Sequence, residues 1–149
     1  MKLSTVGHSN HSWEHFEALI QKSGVQLIAD VRSNPYSRRF PHFGGEVFAR
    51  SLKAVGIDYQ YFGGKLGGHP SSPHILVDGR VDYNRVAQTT LFQEGLQEVS
   101  SLAQEKRVAL MCAEHDPLQC HRFVLVSRHL AEKGVDISHI MRDGRVEPC

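Results

Sequence analysis

Apolar and polar positions along the chain follow two periods, and the changes between them mark out the elements. Leu3 to Val6, ended by Gly7, predicts a first strand. Trp13, Phe16, Leu19 and Ile20 then recur at helical spacing, so a helix is expected from about Trp13 to Ser23, with Ser12 as its cap and Gly24 as its stop. Gln26 to Val31 predicts a second strand, with Asp30 and Arg32 at its C-terminal end. A helix over Glu46–Ala54, ended by Gly56, leads to a third, alternating strand over Ile57–Phe62. Phe92, Leu96, Val99 and Leu102 share one face of a longer helix expected from about Arg85 to Gln104, with a break near Thr89 and Thr90.

Val108 to Cys112 is apolar on both faces, as in a central strand covered by helices on either side. After it, Asp116 suits an N-cap, Pro117 the first helical position, and Gln119 completes a capping box. A helix is therefore expected from Pro117, laying Phe123, Val124, Ser127, Leu130 and Ala131 on the sheet until Gly134 ends it. Asp136 to Met141 predicts the last strand, and Asp143-Gly144 can turn it into a short terminal hairpin.

The stretch "RSNPYSRRFPHFGG" holds prolines, glycines and polar turn formers, which predicts a loop without regular structure. Gly63, Gly64, Gly67 and Gly68 around Lys65 predict a flexible connection. Residues His69 to Arg80 are rich in turn formers, and Asp78-Gly79 suggests a tight turn; a lid or a homodimer contact would suit this stretch.

Strands alternating with helices imply an α/β fold: one three-layer domain over residues 1–149, with a mostly parallel sheet of about five strands. In such sheets ligands bind beyond the C-terminal ends of the strands. The motifs "GHSN", "DVRSNP", "GGKLGG" and "CAEHDPLQCHR" each follow a predicted strand, so four polar loops should converge on one rim.

Composition narrows the function classes. A chain of 149 residues is long enough for one full core and short for two domains. A formal charge of +1 excludes a molecule that binds polyanions over its whole surface. No apolar run approaches the roughly 18 residues of a membrane span, and the N-terminus lacks the apolar region of a signal peptide, so a cytoplasmic protein with no membrane partner is expected. Three cysteines fit a reduced compartment better than a disulfide framework, and the ten histidines are scattered rather than gathered in a metal-storage tract.

Candidate chemistry clusters on the expected rim. Arg32, Arg38 and Arg39 lie in a stretch without acidic residues, and Arg122 lies early in the capped helix. Guanidinium groups beside a helix N-terminus suit phosphate or carboxylate, so Arg32, Arg38 and Arg122, with His8, Ser9 and Ser33, are the expected anion contacts. The plainer alternative pairs Arg32 and Arg122 with Asp30 and Glu114 to lock loops, leaving Arg38 and Arg39 solvated. Asp30 and Glu114 are equally candidates for acid/base work.

A thiol reading makes Cys112 or Cys120 a nucleophile, with His115 or His121 moving protons; both cysteines would also serve as small core hydrophobes. Cys112, His115, Cys120 and His121 include soft metal ligands, but their spacing matches no standard zinc pattern, and adjacent Cys120 and His121 point roughly 100° apart on a helix. Tyr36, Phe40, Phe43, Tyr59, Tyr61 and Phe62 could stack a base or cover the core.

Taken together, "GHSN", "DVRSNPYSRRFPHF", "KLGG" and "CAEHDPLQCHR" closely resemble a bacterial and archaeal family known as domain of unknown function 488. The family pattern falls on Gly7, His8, Ser9, Asp30, Arg32, Ser33, Pro35, Ser37, Gly67, Gly68, Cys112, Glu114, Pro117, Cys120, His121 and Arg122. Members often end in His where this chain has Cys149. The resemblance implies a small intracellular α/β protein and no particular reaction or cofactor. The residues themselves point to an enzyme, a hydrolase or transferase, that binds an anionic small molecule or nucleic-acid component. The competing expectation is a non-catalytic ligand-sensing or partner-binding domain.

Overall fold

The computed structural model describes residues 2–32, 35, 38–66, 76–77, 80–81, 89–113 and 121–148. Its centre is β6 (Val108–Cys112), every residue of which is buried. β1 (Lys2–Gly7) and β2 (Leu27–Asp30) pair with β6 on either side, both parallel to it. β3 (Asp58–Tyr61) adds to β2 and β7 (Asp136–Ile140) to β1, again parallel. β8 (Val146–Pro148) closes the order β3-β2-β6-β1-β7-β8 and runs antiparallel to β7. The expected five parallel strands are present, and the C-terminal hairpin supplies a sixth. Gly144 takes the left-handed conformation its turn requires, with φ 89°, and Met141 N–H donates to Arg145 O at 2.7 Å.

Helices cover both faces of the sheet. α1 (Trp13–Lys22), capped by the Ser12 hydroxyl, and α2 (Gly45–Ala54) bury Phe16, Leu19, Ile20, Phe48 and Leu52 against Val6, Ile28, Met111 and Ile140. On the other face, α3 (Gly63–Leu66), α4 (Thr90–Glu105) and α5 (His121–Glu132) cover Leu3, Leu27, Ala29, Leu110 and Cys112, using Leu66, Phe92, Leu96, Val99, Val126 and Leu130. Period-two alternation sends neighbouring strand residues to opposite layers, so strands buried on both sides carry apolar residues at nearly every position.

Several local expectations are revised. At Thr89, the site of the expected break, the backbone is extended, and the Thr89 Oγ1 accepts from Phe92 N at 3.2 Å to cap the start of α4. The expected first turn at 85–88 lies outside the described residues, as do Asp116, Pro117 and Gln119. The glycine-rich "GGKL" forms the single turn α3, because Phe62 O accepts from Leu66 N at 2.7 Å while Leu66 is buried. The loop after β2 contains a 3-10 turn over Pro41–Phe43, with proline in its first turn and Phe43 fully buried. β4 (Leu76–Val77) and β5 (Arg80–Val81) pair antiparallel on either side of the Asp78-Gly79 dipeptide. No described helix is long and apolar enough to cross a membrane.

The connections position a site. From β1 the chain passes to α1 on one face; from its neighbour β6 it passes to α5 on the opposite face. Loops that leave adjacent parallel strands toward opposite layers open a crevice at their C-terminal ends.

Candidate functional site

The β1 loop is held against β6 beyond the regular ladder. His8 N–H donates to Cys112 O at 3.0 Å and Ser9 N–H to Ala113 O at 2.9 Å. Ser9 takes φ 43°, a left-handed conformation that a non-glycine residue rarely adopts, and these bonds hold it there.

Two strands away, β2 ends in a buried ion pair. Asp30 is 0% exposed and Arg32 4%. Arg32 donates through its backbone N–H and Nε to Asp30 Oδ1, at 3.0 and 2.9 Å, and through Nη2 to Oδ2 at 2.8 Å. The Tyr59 hydroxyl donates to Oδ2 at 2.7 Å. Four donors thus converge on one carboxylate. Burial, with the neighbouring Asp30 charge, pushes the Tyr59 phenol pKa upward, so it stays protonated as a donor. Arg32 Cζ lies 5.9 Å from the Phe48 ring centroid. Among the described residues its Nη1, though buried, has no hydrogen-bond partner.

His8, 5% exposed, stacks on Phe43 with centroids 4.6 Å apart and planes 23° apart. Its Nδ1 lies 2.9 Å from Ser9 O. A carbonyl only accepts, so Nδ1 carries the proton and Nε2 keeps its lone pair. Burial lowers the His8 pKa to about 4; the Ser9 bond opposes this, the Arg32 charge adds to it, Asp30 opposes it and His42 adds to it. The imidazole is therefore neutral at physiological pH. Behind it, His42 Nε2–H donates to His11 O at 2.9 Å, and the His42 ring lies 4.3 Å from that of Phe43.

With this geometry in view, residues 12–129 match a family model described as Domain of unknown function DUF488. That is well over half of the chain. The chain belongs to the DUF488 family. No curated protein and no solved structure matches it.

The matched stretch of this DUF488 protein contains the Asp30–Arg32 pair, while His8 and Ser9 precede it. The structure brings Asp30, Arg32 and His8 to one face of the sheet. It carries Cys112 to the opposite face: Cys112 is 3% exposed and packs in the layer of α4 and α5, whereas its neighbour Met111 faces the layer of α1 and α2. A strand places successive side chains on opposite sides, so proximity in sequence separates these groups. Arg38 is exposed, as is Arg39, whose Cζ lies 5.7 Å from the Phe40 centroid. Arg122 lies in the first turn of α5 by its backbone. Ser33, Glu114, His115 and Cys120, and the side chains of His121 and Arg122, lie outside the described residues. Among the described residues, no group of three or more His, Cys, Asp or Glu could hold a metal ion.

Two roles escaped the sequence: that of Tyr59, expected to stack a base or cover the core, as a hydroxyl donor to Asp30, and that of Gly63. Tyr59 reaches Asp30 only because Ile28 pairs with Tyr59 and Asp30 with Tyr61, which puts Tyr59 on the carboxylate's face. Gly63 sits against the chain at Arg32: a Cβ there would overlap the Arg32 carbonyl oxygen and the Tyr61 ring. The alternation in β3 hinted at the first; the second had no signal beyond glycine itself. A separate groove of about 500 Å³ follows the outer edge of β3, lined by Leu27, Lys53, Tyr59 and Lys106 but by none of His8, Asp30 or Arg32.

Proposed function

We propose that the crevice at the C-terminal ends of β1, β6 and β2 binds a phosphorylated or otherwise anionic small molecule, a class that includes nucleotides and nucleic-acid components. One observation carries this reading: a buried guanidinium at the rim whose Nη1 has no hydrogen-bond partner among the described residues. Buried donors in native proteins are paired almost without exception, and leaving one unmet costs about 1–3 kcal/mol. An anionic oxygen is the acceptor that best meets a guanidinium N–H. The Asp30 pair fixes the guanidinium in place and offsets its burial. Arg38, exposed in the loop that follows, is the second cation this reading assigns to the anion.

An enzyme of the hydrolase or transferase class fits this site, with neutral His8 as the proton acceptor beside the bound anion. In that reading Asp30 is a positioning residue, since both of its oxygens already accept hydrogen bonds. The same saturation favours a second reading, a ligand-sensing domain that binds the anion without turnover.

The test is a thermal-shift screen against nucleotides, sugar phosphates and inorganic anions, with wild type and Arg32→Lys. Lysine keeps a cation beside Asp30 and removes the planar fork. Phosphorylated ligands should stabilise the wild type, by about 2.7 kcal/mol at 100 times the dissociation constant, and the variant much less. Silence toward every anion would sink the reading. Turnover of the ligands that bind separates enzyme from sensor.

A further inference from the structure

Val6 and Asp30 are both level with Met111 across β6, so His8 and Arg32, each two residues further on, end at the same height on the same face. Their strands stand two spacings apart, about 9–10 Å, with the end of β6 between them. The two groups offer opposite hydrogen-bonding characters. Arg32 presents a donor with no partner among the described residues. His8, its Nδ1–H spent on Ser9 O, presents an acceptor at Nε2, to which no described residue donates. The Arg32 and Asp30 charges both act on the His8 proton.

From this pairing we propose that the ligand is a phosphate monoester carrying a hydroxyl group, its anionic oxygen on Arg32 Nη1 and its hydroxyl donating to His8 Nε2. The inference rests on the anion site proposed above and adds the second half of its recognition. A ligand with an anion alone satisfies Arg32 and leaves the lone pair of His8 unmet. A ligand with a donor beside its phosphate satisfies both across the end of β6. Fixing the histidine tautomer is what makes the site selective: a ring free to flip its proton would accept either a donor or an acceptor, and this one accepts only a donor.

A matched pair of probes tests this. Glycerol 3-phosphate and propyl phosphate share the phosphate and the three-carbon chain, and differ in the hydroxyls. Binding of each is measured by calorimetry at about pH 8, where the phosphates are fully ionised and carry no proton of their own to donate. Glycerol 3-phosphate should bind wild type about five- to tenfold tighter, the worth of one hydrogen bond. His8→Phe keeps a ring on Phe43 and removes Nε2; it should abolish the preference for glycerol 3-phosphate over propyl phosphate. Equal binding of the two probes by wild type overturns the hydroxyl inference and leaves the anion site standing. So does a preference that survives in His8→Phe. Binding of neither probe overturns both readings. The wild-type comparison needs no variant, so a His8→Phe that failed to fold would not blunt it.

Discussion

Acidification should destabilise the domain through His8. The folded pKa of about 4 lies below the ordinary 6.5, because burial disfavours the imidazolium. Between those values the unfolded chain binds a proton that the native state refuses. The stabilising contribution is therefore complete above about pH 6.5 and is lost as pH falls through the folded value. Integrating the difference in bound protons gives a loss of about 2.5 kcal/mol between about pH 7.5 and about pH 4.5. That is a large share of the roughly 5–15 kcal/mol that holds a typical domain together.

Urea melts at a series of pH values, in buffers without phosphate, measure this directly. His139, whose pKa is also lowered by burial, contributes to the slope, so wild type must be compared with His8→Phe, which retains it. Whatever its absolute stability, the variant should lose about 2.5 kcal/mol less than wild type over that range. Parallel curves, agreeing within about 0.5 kcal/mol, would refute the assignment of a buried, neutral His8.

Arg32→Ala strands the buried Asp30 carboxylate and should cost about 3–5 kcal/mol by denaturant melts, a loss that Asp30→Asn in the same chain should partly restore; strictly additive effects would deny the coupling. Gly63→Ala should cost about 2 kcal/mol or more, since its Cβ meets the Arg32 carbonyl rather than a movable side-chain end, and a neutral result would contradict the close packing of α3 on β2. Cys112, buried beneath α4 and α5, should be alkylated in the native protein far more slowly than in urea, with peptide mass mapping to separate it from the other cysteines; rapid native labelling would restore the thiol reading.

Local pattern determined the elements. The two-sided apolar run Val108–Cys112 is of strand length and reads as a covered central strand, and the helical spacing of Trp13, Phe16, Leu19 and Ile20 puts one apolar face on the sheet. Turn chemistry at Asp143-Gly144 gave the terminal hairpin for the same local reason. The common rim also followed, since successive parallel strands must end at one edge.

Strand order and register decided the site. Nothing in "QLIADVR" says that Arg32 folds back on Asp30, or that Tyr59 from the next strand completes the carboxylate's shell; both depend on which residue of β3 lies opposite which residue of β2. Nor does "LMCAEH" reveal that Cys112 parts from Asp30 and Arg32, for that needs β6 seated between β1 and β2 with Met111 turned to their face. Burial is likewise collective: His8 loses its proton because the packing around it, Phe43 included, excludes water, with the Arg32 charge adding to the effect and the Ser9 bond opposing it. Sequence supplied the chemical groups and the edge on which they meet; tertiary packing chose which of them share a face, and so which proton and which charge each one carries.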